Sequence, residues 1–257
     1  MASSTRASRS GDDSGHPMSL AGVAGDEASS GVLPPSSEAA GDALRAAVET
    51  MRAIRERCVW SQRITHDDLV PYLVEESAEL IDAVETGTRA DLREELGDLL
   101  WQVLFHAAVA ADDADDPFDI DDVAAVLVEK MVRRHPHVFG DAVATTPEDV
   151  LVHWNAAKAA EKSDRRSVLD GVSAHMPSLA LAQKLLGRAA ALPARVAITS
   201  PADGAAGDLQ AGSEDELGER LLALVGSARA NGWDAERALR SAIRRLESDI
   251  RTAEQTG

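Results

Sequence analysis

Residues 71–107 read PYLVEESAELIDAVETGTRADLREELGDLLWQVLFHA, and the reading of this stretch decides the fold. Leu73, Leu80, Ile81 and Val84 recur at helical spacing, which predicts a helix from Leu69 to Glu85 with Pro71 in its first turn. Gly87 closes that helix. Thr88, with Asp91 three residues on, has the form of a capping box and opens the next helix. Leu92, Leu96, Leu99, Leu100, Val103 and Leu104 carry it to about Ala111. Two helices joined by so short a turn form an antiparallel hairpin.

The acidic residues of the stretch mirror one another about Gly87. Glu79 lies eight residues before it and Glu95 eight after; Glu76 lies eleven before and Asp98 eleven after. Glu76 and Glu79 are three apart, hence on one face, and Glu95 and Asp98 repeat that spacing. At about 1.5 Å rise per residue the hairpin sets each pair at equal height. Four carboxylates then converge near a seam flanked by apolar positions. Such a cluster opposes folding unless cations compensate it. A lone Glu-Glu-x-x-Glu reads as a solvated stripe in so acidic a chain; the mirror arrangement points instead to a metal site. Oxygen-only ligands select Mg²⁺ or Mn²⁺. A di-iron carboxylate bundle wants Glu-x-x-His pairs. The residues three before His66, His106, His135, His137, His153 and His175 are all non-acidic.

Metal and carboxylates on a helical hairpin suggest phosphate chemistry, with a bound water activated by the ion. Glu75 is the spare carboxylate best placed to orient that water or take its proton. Lys130, Arg133 and Arg134 sit together at the end of a fourth helix, and Lys158 and Lys162 share a face of a fifth. Singly each is a solvated charge; as a set they make phosphate clamps. Trp60 and Trp154 are candidates for stacking a base, with core packing the equal alternative for each. His135 and His137 flank Pro136 and shape a helix end. No Gly-x-x-x-x-Gly-Lys loop is present, which excludes a P-loop enzyme.

Outward from the hairpin, the chain reads as all-α. Its 257 residues carry 44 acidic and 26 basic side chains, a net charge of −18, which argues against nucleic acid as the main partner. Apolar residues are 44% but aromatics only 3%, an Ala/Leu/Val composition that suits helices. The single Cys58 excludes an intrachain disulfide and most cysteine metal sites. No apolar run approaches a membrane span or a signal peptide, so a cytoplasmic protein is expected. Residues 1–43, rich in Ser, Gly, Ala, Asp and Pro, read as a disordered tail, with a docking peptide as the alternative. A helix is expected from Leu44 to Arg57, then an irregular stretch to Asp67. Further helices are expected after Asp119, from Thr146 to about Lys162, after Pro177, and over Glu214–Ala230 and Asp234 to about Glu254. The domain reading is a catalytic unit at 44–192, a linker at 193–212 and a C-terminal helical pair at 213–257.

One internal repeat stands out. Glu95-Leu96-Gly97-Asp98 recurs as Glu216-Leu217-Gly218-Glu219, and Leu100, Val103 and Ala107 align with Leu221, Leu224 and Ala228 at the same offset. The alternative is a chance likeness between two Ala/Leu helices. The second copy lacks an acidic first helix, so one metal centre per chain is expected.

Glu75-Glu76-x-x-Glu79, fifteen residues, then Glu95-x-x-Asp98 resembles the signature of the MazG-type all-α nucleoside triphosphate pyrophosphohydrolases. Arg133-Arg134-His135-Pro136-His137-Val138-Phe139-Gly140, Trp154 to Lys162 and Ala182-Gln183-Lys184 extend the resemblance over roughly residues 44 to 190. The resemblance implies hydrolysis of nucleoside triphosphates between the α and β phosphorus atoms. It also implies Mg²⁺ on Glu76, Glu79, Glu95 and Asp98, and a homodimer. The family usually has Cys-Pro-Trp-Asp-x-x-Gln-Thr-His where this chain has Cys58-Val59-Trp60-Ser61-Gln62-Arg63-Ile64-Thr65-His66. The alternative reading is a degenerate helical dimer that binds nucleotide or protein without turnover.

Overall fold

The computed structural model describes residues 43–161, 167–190, 192 and 211–256, and among them every regular element is helical. The expected N-terminal tail, most of the linker and Lys162 lie outside the described residues. The elements are α1 (Ala43–Arg57), a 3₁₀ turn (Ser61–Arg63), α2 (His66–Glu85), α3 (Arg89–Ala110), α4 (Ile120–Arg134), α5 (Pro136–Phe139), α6 (Pro147–Ala160), α7 (Ser178–Ala189), α8 (Glu214–Ala230) and α9 (Ala235–Thr256).

The hairpin forms as its caps dictate. Thr88 accepts from the backbone N–H groups of Ala90 and Asp91, and Asp91 accepts in return from Thr88 at 2.6 Å, completing the box that starts α3. At Gly87 a Cβ would lie 2.7 Å from the Ala83 Cα, so the turn between α2 and α3 admits glycine alone. The start of α2 differs from the expected Leu69. Thr65 and Asp68 make a capping box of their own, and the helix begins at His66. Pro71 therefore sits in the second turn rather than the first, and its missing N–H removes one helical bond to the Asp67 carbonyl. Thr-x-x-Asp satisfies two orphan donors, which outweighs the preference of proline for the first position.

Up to Asn155 the chain forms one compact unit, and from Ala156 a second. In the first, α2 packs along α3, and α1 lies across α3. Met51, Leu69, Leu104 and Phe105 form its buried core, joined by Val48, Trp60, Tyr72, Trp101 and Ile120. Truncating Phe105, 1% exposed, would cost about 3–5 kcal/mol. Arg55 pins the chain after α1: it pairs with Asp112 at 2.8 Å and donates to the carbonyls of Ser61 and Ile64. In the second unit α7, read from the sequence as belonging with the first domain, packs on α8 and α9 around Leu186, Ala223 and Val225. Gln183 joins α7 to α9, donating to the Trp233 carbonyl at 3.1 Å and accepting from the Ala235 N–H at 3.2 Å.

Candidate metal centre

Three of the four expected carboxylates converge. One oxygen each from Glu76, Glu79 and Glu95 lie within 4.8 Å of one another, two from α2 and one from α3 across the seam. The equal heights that the sequence sets about Gly87 produce this meeting. Glu76 is the most enclosed, at 6% exposure; Glu95 is half-buried and Glu79 exposed. Asp98, half-buried, is not one of the trio, but its charge acts on Glu76 and Glu79.

The electrostatics show how closely the charges are held. Burial, then the charges of Asp98, Glu79, Glu95 and Glu75, push the Glu76 carboxyl up to about 7. Burial, then Glu75 and Asp98, raise Glu79, opposed in part by a hydrogen bond with Glu76. Glu95 is raised by burial and by Glu79, Asp98 and Glu94. Asp98 is raised by burial and by Glu94. Glu95 Oε2 is buried without a hydrogen-bond partner. Every group is thus held against its charged form, and no arginine or lysine is among the causes. A hard divalent cation fits this donor set, because it would relieve the repulsion and occupy the unpaired oxygen. Glu75 is exposed at the rim, adjacent in sequence to Glu76.

Among the described residues, the other expected site residues have local partners or surroundings of their own. Trp60 is half-buried and meets Tyr72 and Phe105 edge-on, with centroids at 6.5 and 6.1 Å, which is core packing. Arg134 lies over the Trp154 ring at 4.9 Å, and His135 meets the same ring edge-on at 5.3 Å. One face of Trp154 is therefore already covered. Arg133 pairs with Glu129 at 3.0 Å on an exposed face of α4, and Lys130 is half-buried one turn before Arg134. Lys158 belongs to the second unit, and Lys162 lies outside the described residues.

In the stretch that departs from the resembled motif, Ser61 stands in place of Asp. It is 1% exposed and donates to the carbonyls of Ile54 and Cys58 at 2.8 and 3.0 Å. It closes the end of α1. His66 and His106 stack at 5.1 Å with their Nδ1 atoms 2.8 Å apart, and burial together with His66 holds His106 below the usual imidazole range. Sequence reasoning missed this pair, and with it Glu94 and Gln102. Glu94 was legible, since Glu94-Glu95 repeats Glu75-Glu76; the signal for Gln102 was a lone amide inside an apolar run.

The match to known proteins agrees with this geometry. Residues 64–139 match the MazG nucleotide pyrophosphohydrolase domain. An uncharacterized 26.1 kDa protein of Streptomyces cacaoi is 51% identical over 223 residues, covering 87% of both chains. A nucleoside triphosphate pyrophosphohydrolase of Mycobacterium tuberculosis is 50% identical over 61% of this chain, which spans only 48% of that relative's length. The Escherichia coli K12 protein of the same name is 34% identical over 83% of this chain and 87% of its own. With relatives alike over nearly their whole length and the hairpin carrying the matched domain, the chain belongs to the MazG nucleotide pyrophosphohydrolase family.

Proposed function

We propose that the protein hydrolyses nucleoside triphosphates to a monophosphate and pyrophosphate with Mg²⁺, Mn²⁺ being the nearest substitute, and that it serves nucleotide-pool house-cleaning in the cytoplasm. The observation that carries this is the convergence of Glu76, Glu79 and Glu95 within 4.8 Å. Glu76, Glu79, Glu95 and Asp98 hold the metal. When bound, it supplies positive charge to phosphate oxygens and acidifies a bound water. Glu75, exposed beside the trio, orients the attacking water and takes its proton. Lys130 and Arg134, one turn apart on α4, draw the phosphates in, and Arg134 leaves the face of Trp154 as it does so. Arg133, tied to Glu129, contributes general positive potential.

The active form is a homodimer. Val70, Val74 and Val84 on α2 and Leu96, Leu100 and Val103 on α3 are exposed apolar side chains. On α3 they recur at i, i+4 and i+7, a continuous stripe that a second copy would cover. Among the described residues no helix is long and apolar enough to cross a membrane. The test is pyrophosphate release from a panel of ribo- and deoxyribonucleoside triphosphates with Mg²⁺ and with EDTA. Metal-dependent release from at least one of them is expected; none, with the protein folded, would sink the reading.

A further inference from the structure

Three side chains of α3 keep buried polar atoms that nothing satisfies. Gln102 has no exposed surface, and neither its amide nitrogen nor its amide oxygen has a partner. One turn on, Nε2 of His106 is buried and unpaired while Nδ1 meets His66. Seven residues before Gln102, Oε2 of Glu95 is in the same condition. Positions 95, 102 and 106 share one stripe of the helix. Buried polar groups in folded proteins are nearly always paired, and an unpaired one costs stability. The neighbouring buried positions, Leu104 and Phe105, carry the apolar groups that a structural role would select. A glutamine held unpaired at such a position keeps a donor and an acceptor available for a group that reaches it in a complex.

We propose that Gln102 is the specificity-determining residue that reads the nucleobase of the triphosphate, with His106 behind it; the assignment rests on the pyrophosphohydrolase reading above. A carboxamide presents one donor and one acceptor side by side, the complement of a nucleobase edge. Its place on α3 suits that role. Gln102 lies one turn beyond Asp98 and two beyond Glu95, about 6 and about 10 Å along the axis. Phosphates held at the carboxylates put the base one to two helical turns away, over this amide. In the free fold Gln102 is sealed, so entry of the base turns the covering side chains aside. The complex then supplies the two hydrogen bonds that the free protein lacks. A base with the wrong edge leaves the buried amide unpaired and is rejected.

The experiment uses the full chain and its Gln102→Leu and Gln102→Glu variants. The melting temperature is taken without ligand, and kcat/KM with Mg²⁺ for ATP, GTP, CTP and UTP. Gln102→Leu is expected to melt at or above the parent, since two unpaired polar atoms disappear. The spread in kcat/KM between the best and worst base should shrink at least tenfold. Gln102→Glu keeps the shape but exchanges the NH2 donor for a carboxyl, and should reorder the bases. Inhibition by pyrophosphate, which has no base, should stay within about twofold in both, as expected away from the phosphates. A lower melting temperature for Gln102→Leu with all four substrates falling by one factor would make Gln102 structural and overturn the assignment. So would an unchanged base ranking in both variants, or a parent indifferent to the base. A parent that cleaves none of the four overturns the pyrophosphohydrolase reading instead, and the two failures are thereby told apart.

Discussion

The tetrapeptide Glu-Leu-Gly-acid occurs twice in this chain, and its two settings give it opposite electrostatics. In α3 it is mid-helix: Glu95 is the seventh residue and meets Glu76 and Glu79 across the seam, where burial and like charges raise its carboxyl above the usual range. In α8 it lies in the first turn. There Glu216 accepts from the Gly212 N–H at 2.8 Å and from Arg220, and its carboxyl is pulled below the usual range, by the Gly212 bond first and Arg220 next. Arg220 stands where α3 has Leu99. The apolar halves did not diverge. Leu96, Leu100 and Val103 are exposed on α3, and Leu217, Leu221 and Leu224 at the same offset on α8. One arginine and a shift in the helix start thus separate a carboxylate held against its charge from one that already has its partners.

The strongest break of this comparison falls on the first copy. Asp98→Asn or Glu79→Gln should abolish turnover, a loss of at least about 100-fold, with helicity unchanged by circular dichroism. Mg²⁺ should raise the melting temperature of the parent and much less that of either variant. Equal Mg²⁺ shifts in all three would remove the site from the hairpin. Next come the basic groups of α4, which are proposed to meet the phosphates rather than the carboxylates. Lys130→Ala and Arg134→Ala should each raise the barrier by about 2–4 kcal/mol. Steady-state kinetics identical to the parent would take both residues out of the site, leaving Arg134 as a packing partner of Trp154.

The residues that were legible in the sequence owe it to symmetry and local chemistry. Mirror spacing about Gly87 announced the meeting of Glu76, Glu79 and Glu95, and Thr88 with Asp91 announced the start of α3. Asp98 was placed with them by equal height and by its three-residue spacing from Glu95. Asp98 is not one of the trio, although its charge acts on Glu76 and Glu79. The start of α2 was misplaced because Pro71 was weighed and the Thr65–Asp68 box was not. Contacts between distant segments left no periodic trace. The seat of Trp60 against Tyr72 and Phe105, the cover of Arg134 over Trp154, and the pairing of His66 with His106 all depend on tertiary packing.

Titration sharpens the comparison further. Folded Glu76 keeps its proton to about pH 7, against an ordinary 4.5, so between these values the folded state binds more protons than the unfolded. Stability without metal should therefore fall as pH rises from 4.5 to 7 and level off above. The gap corresponds to about 3 kcal/mol, and Glu76→Gln should recover up to that much at pH 8 and flatten the slope. Glu216 has the other sign: its contribution is present at neutral pH and lost as acid protonates it. Urea unfolding in EDTA from pH 5 to 8 reads the first. A Glu76→Gln protein no more stable than the parent at pH 8 would show that the cluster relaxes its repulsion by moving apart.

The smallest expected effect belongs to the second copy. Glu216→Gln combined with Glu219→Gln should leave pyrophosphate release within about twofold of the parent, as for positions outside a site. Glu216 has its partners within α8 and the residues just before it, and Glu219 is exposed. The helix α7, which packs on α8, runs SLALAQKLLGRA and holds no carboxylate. A cation drawn to two carboxylates would meet Arg220 beside them, a positive charge where the first copy has a leucine. Glu216→Gln keeps an acceptor for the Gly212 N–H and loses only the charge, so any loosening should be confined to the start of α8. Deleting residues 213–257 should instead lower the melting temperature, since it strips the apolar surface that covers Leu186 of α7. A large loss of activity in the double Gln protein, with its melting curve intact, would mean that the second copy still takes part in the chemistry and that Arg220 has not silenced it.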